Sequence, residues 1–339
     1  MKKISIIIPV FNAKKTLKLC LEHIFSLDDS NFEVIVVDDG SADDSVKICD
    51  AYNVKLVTLR NRQGPSVARN TGAEEAEGEI IAFTDSDCMV PPDWLTKIRK
   101  HLTDDNNEIV TGGYKADSSQ NILGRFINYD IHNHGYRHLP AETDILTGGN
   151  FALFKSIMNT SPKIEDRIFG TSASAEDTVL GMVLSKKHKI HYYKDMDVVH
   201  LCSAGLIYFF KKSFMRGFTK TIIFIMFRSS ILNSKNISYK YIAGHLLLTL
   251  FITFSFVSYI INKNVFLVAS AFIAYLSFLV YNDLSYIYMK EKKIVLPVIS
   301  VFLLYFRDLC FMFGAGAGLL HYFLQIKFFK EKREAYLKW

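Results

Sequence analysis

The stretch Gly78-Glu79-Ile80-Ile81-Ala82-Phe83-Thr84-Asp85-Ser86-Asp87 decides how the first half of this chain folds. Four apolar residues, opened by a glycine and closed by two carboxylates, predict a strand buried on both faces. The same grammar recurs upstream. Ile4–Val10 is a short β-branched run, Phe32–Val37 leads into Asp38-Asp39-Gly40-Ser41, and Val54–Leu59 predicts a third strand. Between them, Ala13–Ser26 (Leu17, Cys20, Leu21, Ile24), Asp43–Tyr52 and Ser66–Glu77 carry helical spacing. This alternation implies parallel βαβ units, and so an α/β, doubly wound, mostly parallel sheet. Such sheets bind ligands at the carboxyl ends of their strands. Both acidic clusters fall there.

Further on, Glu108–Tyr114 and Asn150–Phe154 predict strands, Ala175–Leu184 a helix and Lys189–Tyr193 a strand, with Ser161–Ser174 a loop. Beyond Leu206 the character changes. The last 134 residues hold 17 basic and 5 acidic side chains, against 23 and 29 in the first 205. The 339-residue chain is 50% hydrophobic and 22% charged, with a mean hydropathy of +0.15. These values exclude a disordered, collagen-like or disulfide-scaffold protein. An acidic head joined to a basic, apolar segment fits attachment to anionic lipid. No nucleic-acid partner is expected, because positive charge would then lie on the folded head. The five cysteines (Cys20, Cys49, Cys88, Cys202, Cys310) form no C-x-x-C and read as reduced thiols. The run after Lys3 is too short and too β-branched for a signal peptide, so the head is expected to stay on the cytoplasmic side.

Four regions follow: a catalytic head over 1–205, interfacial linker helices over 206–240, a membrane region over 241–326 and a basic tail over 327–339. Tyr241–Ile261 and Val265–Tyr281 are apolar and joined by Asn262-Lys263-Asn264, so they predict a membrane hairpin. Ile294–Leu324 is apolar but carries Arg307-Asp308 and Gly314-Ala315-Gly316-Ala317-Gly318, whose small residues suit a helix–helix seam. Basic segments before the hairpin, after it and at the tail all prefer the cytoplasm. That favours two spans plus a bent or re-entrant third unit, with three full spans as the alternative. Leu206–Phe227 interleaves Phe209, Phe210, Phe214, Phe218 and Phe224 with Lys211, Lys212, Arg216 and Lys220, the pattern of an interfacial helix.

The chemistry begins with Asp85-Ser86-Asp87. Two carboxylates at a strand end offer hard oxygen ligands to Mg²⁺ or Mn²⁺, with phosphate and water filling the remaining positions. A lone D-x-D also arises by chance in loops. Asp38-Asp39-Gly40-Ser41 repeats the placement: a carboxylate there can bind a nucleobase or sugar, or the residues can serve as a helix cap, with Ser41 capping.

Taken in order, Ile7-Ile8-Pro9-Val10-Phe11-Asn12, Val36-Val37-Asp38-Asp39-Gly40-Ser41, Gly64-Pro65-Ser66-Val67-Ala68-Arg69-Asn70-Thr71-Gly72, the stretch quoted above and Pro92-Asp93-Trp94-Leu95 closely resemble the family 2 glycosyltransferases of GT-A fold. The resemblance is dense over residues 4–95 and thinner to about 200. It implies that Pro9, Phe11 and Asn12 line the nucleotide pocket and that Asp39 reads the base, usually uracil. Arg69 would stand near the diphosphate, Asp85 would face the ribose or sugar, and Asp87 would hold the metal. Gly149 and Asn150 would belong to the small-residue segment under the donor sugar. Asp177, of the Glu176-Asp177 pair, would be the base, although an acidic pair at a helix start is also what the macrodipole favours. The partners implied are a nucleotide sugar, with a UDP-sugar favoured, the membrane, and a lipid-linked or glycan acceptor. His200 and Arg216-Gly217 resemble positions in members with C-terminal membrane hairpins; His200 would contact the diphosphate or serve as a satisfied structural histidine.

The chain departs from the family's pattern at Cys88 and at Lys187-His188. No Q-x-x-R-W follows Asp177, which disfavours a processive synthase. Two other functions compete. A sugar nucleotidyltransferase would need a G-x-G-x-R loop after the first strand, where Pro9-Val10-Phe11-Asn12 stands. A non-catalytic membrane scaffold would have no reason to keep Asp39, Asp85, Asp87 and Asp177 together.

Overall fold

A computed structural model of the chain describes residues 1–103, 108–115, 121–136, 139–163, 176–201, 205–227, 239–263, 265–285, 287–288 and 294–338. β1 (Ile4–Val10) lies at the centre, parallel to β2 (Phe32–Asp38) on one side and β4 (Ile80–Thr84) on the other, with β3 (Lys55–Thr58) beyond β2. Their connections are α1 (Leu17–Ile24), α2 (Ser45–Cys49) and α3 (Pro65–Glu75). The face of α1 at Leu17, Cys20, Leu21 and Ile24 is buried as its spacing predicts. α1 begins later than Ala13 because the preceding turn is tied elsewhere. Ala13 N–H donates to Ser45 Oγ and Lys14 N–H to Asp43 Oδ2, at the start of α2.

After β4 come β5 (Cys88–Met89), α4 (Trp94–His101), β6 (Glu108–Thr111), β7 (Tyr114–Lys115), α5 (Ile122–Gly135), β8 (Glu142–Thr143) and β9 (Asn150–Phe154). Next are α6 (Lys155–Thr160), α7 (Glu176–Leu184), β10 (Lys189–Tyr192) and β11 (Val198–His200). The main sheet has the order β3-β2-β1-β4-β9-β6-β10-β8. β9 runs antiparallel to β4 and β6, and β8 antiparallel to β10. This is a GT-A-like α/β core, mostly parallel. Glu108–Tyr114, expected as one strand, divides at Gly112-Gly113, where Gly113 N–H donates to Asp197 Oδ1 at 2.7 Å. β7 consequently joins β5 and β11 in a small second sheet. Residues 164–175, most of the expected loop Ser161–Ser174, lie outside the described residues, as does Cys202. Cys20, Cys49, Cys88 and Cys310 are free thiols.

The C-terminal part consists of α8 (Leu206–Met226), α9 (Tyr239–Asn262), α10 (Val265–Leu279) continuing into a π turn over Val280–Leu284, α11 (Val295–Leu324) and α12 (Ile326–Lys338). By length and composition, Leu267–Leu284 and Val295–Leu324 can cross a membrane. α11 is one unbroken helix, where a bent or re-entrant unit was favoured. Arg307 and Asp308 pair with each other and with neighbours, so their charges do not force a break. Gly314 and Gly318 lie against the carbonyls of Phe214 and Phe218, and Gly217 against that of Phe311, with no room for a Cβ; Gly316 faces open space. Helical spacing thus selects two glycines of the run for the seam. Val179, Met182 and Val183 of α7 pack with Ile222, Ile223 and Met226 of α8 and Tyr322 of α11, which builds these helices onto the head.

Candidate active site

Register places the site. β9 pairs with β4 so that Asn150 lies opposite Thr84, which sets Gly149 beside Asp85. A Cβ at Gly149 would stand 2.5 Å from Asp85 Oδ2 and 2.7 Å from the Tyr114 hydroxyl, so only glycine fits there. In the small sheet His200 lies opposite Cys88, and its Nε2 stands 3.5 Å from Asp87 Oδ2. The His200 ring stacks on Tyr114 at 4.7 Å. Tyr114 donates to Asp85 Oδ2 at 3.2 Å and accepts from Gly149 N–H at 3.0 Å. One aromatic pair therefore roofs both aspartates.

Ligand atoms of Asp85, Asp87 and Cys88 lie within 4.8 Å of one another. Two carboxylates and a nearby imidazole suit a hard divalent cation such as Mg²⁺ or Mn²⁺. The soft Cys88 sulfur suits a hard cation poorly, and burial and then Asp87 push its thiol pKa well up.

Arg69, on the first turns of α3, is 6% exposed. Its Nη2 stands 2.9 Å from Asp85 Oδ1 and its Nη1 3.2 Å from Glu176 Oε1. This joins the end of β4 to the start of α7. Nη2 is also 3.0 Å from where a Gly148 Cβ would stand, and that point is 3.4 Å from Asp177 Oδ2. These three legs hold the Asp85 and Asp177 oxygens within about 9 Å of each other. Asp177 accepts from Thr178 N–H at 2.7 Å and Gly148 N–H at 3.3 Å. Burial, and next the Glu176 carboxylate, raise its pKa to about 6, with Arg69 and the two amides pulling the other way. A cavity of about 20 Å³ lies beside it, lined by Ser66, Arg69, Glu176 and Asp177 among others.

At the far end, Phe11 is 36% exposed and the Arg62 guanidinium lies 4.1 Å over its ring. Asn12 has φ +50°; it donates its N–H to Ser41 Oγ at 2.9 Å and accepts from Ala42 N–H at 2.8 Å. Pro9, half-buried in β1, pairs with Val37. Ser41 caps no helix, since α2 starts only at Ser45. Asp38, instead, holds the turn by accepting from Ser41 N–H at 3.2 Å. Asp39, 3% exposed, accepts from Gln63 N–H at 2.6 Å and Gly64 N–H at 2.8 Å, which leaves acceptor capacity for a ligand donor. Asn150 is wholly buried, bonding Trp94 Nε1–H, the Gly113 carbonyl and the Met196 carbonyl. Its amide is spent on locking β9 in register.

Asp85, Asp87, Arg69, Gly149 and Asp177 are thus linked in one neighbourhood, while Pro9, Phe11, Asn12 and Asp39 stand at the neighbouring ends of β1 and β2. Sequence reading missed Tyr114 and the bridging role of Glu176. Glu176 was visible beside Asp177, whereas nothing local marks Tyr114.

Residues 5–160 match the model of the family described as glycosyl transferase family 2. Glycosyltransferase GlyG of Streptococcus pneumoniae serotype 4 is 35% identical over 116 residues, 33% of this chain and 38% of that protein. Glycosyltransferase AglE of Haloferax volcanii is 37% identical over 101 residues, 28% of this chain and 33% of that protein. The chain thus covers little more than a third of the length of these curated relatives. Mannosyltransferase PcManGT from Pyrobaculum calidifontis, solved in complex with GDP-Man and Mn²⁺, shares the fold: its TM-score is 0.55 over 94% of this chain and 87% of that one, at 17% identity. Residues 5–160 thus form a glycosyl transferase family 2 domain, on a GT-A-like α/β core that apolar helices follow.

Proposed function

We propose that the chain is an inverting, metal-dependent glycosyltransferase, moving one sugar from a nucleotide sugar to an acceptor hydroxyl at the cytoplasmic face of the cell membrane. The observation that carries this reading is Asp177, a carboxyl with its pKa raised to about 6, held within about 9 Å of Asp85. The acceptor oxygen attacks C1 of the donor sugar as the C1–O bond to the diphosphate breaks on the opposite face. Asp177 takes the acceptor's proton, and the nucleoside diphosphate leaves. General-base assistance of this kind is worth about 10²–10⁴-fold. A cation held by Asp85 and Asp87 would offset the charge building on the leaving diphosphate. Arg69 and Tyr114 orient Asp85, and the bare Cα of Gly149 lets Asp85 and Tyr114 pack against the start of β9. Pro9, Phe11, Asn12 and Asp39 hold the nucleoside, for which uracil is the favoured base.

A lipid-linked acceptor, such as a polyprenyl phosphate or polyprenyl-diphosphate glycan, is supported by the apolar helices built onto the head. Multi-pass insertion by the α9–α10 hairpin and α11 is supported by the length and apolar composition of Leu267–Leu284 and Val295–Leu324. In the test, detergent-purified protein with Mn²⁺ and a panel of nucleotide sugars is assayed for nucleoside diphosphate release with and without farnesyl phosphate. GDP-mannose belongs in the panel, because PcManGT binds GDP-Man. No release with any donor, or full turnover in Asp87→Ala and Asp177→Asn, would overturn the proposal.

A further inference from the structure

The buried charges that transfer does not use lie where the head meets the apolar helices. Arg307 of α11 shares its guanidinium between two carboxylates on different elements. Nη1 bonds Asp130 Oδ1 on α5, while Nη2 and Nε stand 2.6 and 2.8 Å from Asp308 Oδ1. Asp308 Oδ2 is 2.8 Å from His245 Nδ1 on α9, and His245 Nε2 is 3.2 Å from Asp283 Oδ2 in the π turn. Asp130, His245, Asp283 and Asp308 are all at least 95% buried. A single ionic chain therefore runs from the head through three apolar helices.

The surrounding contacts are apolar: Phe126 and Ile127 of α5 share a cluster with Phe209, Leu303 and Leu304. Apolar surfaces tolerate sliding, whereas a guanidinium forked between two carboxylates admits one register. Cutting this link leaves buried charge uncompensated. Arg307 also sits two turns before Gly314, where α11 and α8 touch backbone to backbone. α8 is thereby indexed to α5. It carries Lys212, Arg216 and Lys220 at i, i+4 and i+8, one helical face. Lys212 lies within electrostatic reach of Asp87, and Lys220 of Asp177, Arg307 and Asp130.

We propose that Arg307 is a positioning residue for the transfer: by joining Asp130 to Asp308 it sets the register of the head on α11, and with it the place of the basic face of α8 near Asp87 and Asp177. The kinetic consequence rests on the transferase reading; the docking does not.

The full chain in nanodiscs tests this as Arg307→Gln, Asp130→Asn and the double variant. Each should raise the KM for farnesyl phosphate by roughly tenfold while kcat and donor nucleotide affinity stay within about twofold. The double variant should match the singles, because either change cuts the same link. Amide hydrogen exchange over Ile122–Gly135 and Leu206–Met226 should quicken together in all three, with β1 and β4 unchanged. Arg307→Lys, which can hold only one carboxylate at a time, should fall between. Unchanged exchange in α5 and α8, additive single effects, or donor affinity lost in step with acceptor KM would each overturn the proposal. Should Arg307→Gln fail to fold, Asp130→Asn carries the same test with the Arg307–Asp308 pair intact. Should the wild type transfer no sugar, the transferase reading fails, and the exchange pattern alone decides this one.

Discussion

Replacing Glu176 by glutamine should move the acid limb of transfer to lower pH. Asp177 titrates near pH 6 because burial, and then the Glu176 carboxylate, penalise its charge. Glutamine keeps the shape and removes that charge. The glutamine oxygen can still accept from Arg69 Nη1, which stands 3.2 Å from Glu176 Oε1, so the guanidinium keeps its place and the lost negative charge favours the Asp177 carboxylate. The rise from the ordinary 3.8 to about 6 is worth about 3 kcal/mol in all, and Glu176 supplies less of it than burial does, so its loss should lower the pKa by about one unit. The base works ionised, so activity is lost as pH falls through its folded pKa. The limb in kcat/KM, expected at about pH 6 in the wild type, should stand near about pH 5 in the variant. The assay is nucleoside diphosphate release at low acceptor and saturating Mn²⁺, from about pH 4.5 to about pH 8. A limb that stays in place or moves upward refutes the assignment of Glu176 as the neighbour that holds the base's pKa up.

The same raised pKa bears on stability. A carboxyl shifted upward by folding binds its proton more tightly in the native state, so its contribution falls as pH rises from about 4 to about 6. Asp177→Asn should therefore melt a few degrees higher at pH 7, with the gain gone below about pH 4, and lose turnover; an unchanged melting temperature at pH 7 contradicts it. Tyr114→Phe removes the hydroxyl that bonds both Asp85 and Gly149. It should cost about 1–2 kcal/mol in kcat/KM, roughly tenfold, with the fold intact by circular dichroism. Gly314→Leu drives a side chain into the Phe214 carbonyl. It should lower stability by about 3 kcal/mol in thermal unfolding, whereas Gly316→Leu, facing open space, should not.

What sequence reading recovered follows from local physics. Ile4–Val10 and Asn150–Phe154 emerge as strands with the expected ends, since a short run of β-branched or aromatic apolar residues between turn residues favours a strand. The aspartates after β2 and β4 stand at the sheet's carboxyl edge for the same reason. Helix starts were less legible: α1 begins at Leu17 because the β2–α2 loop holds Ala13 and Lys14 by their amides. α11 is unbroken where charge sidedness predicts a bent or re-entrant unit, and partners on α5 and α9 satisfy the charged pair Arg307-Asp308 within it.

The amino-acid order alone determined the alternation of strands and helices, the carboxylates at strand ends and the apolar tail, because each is written in neighbours a few residues apart. Tertiary structure decided that β9 runs against β4 and so sets Gly149 beside Asp85. It decided too that Tyr114 and His200 roof the aspartates, that Arg69 reaches Glu176 across 107 positions, and that Arg307 finds Asp130 across 177. Contacts of that span leave no period in the sequence; they exist only once the packed sheet and helices have brought their ends together.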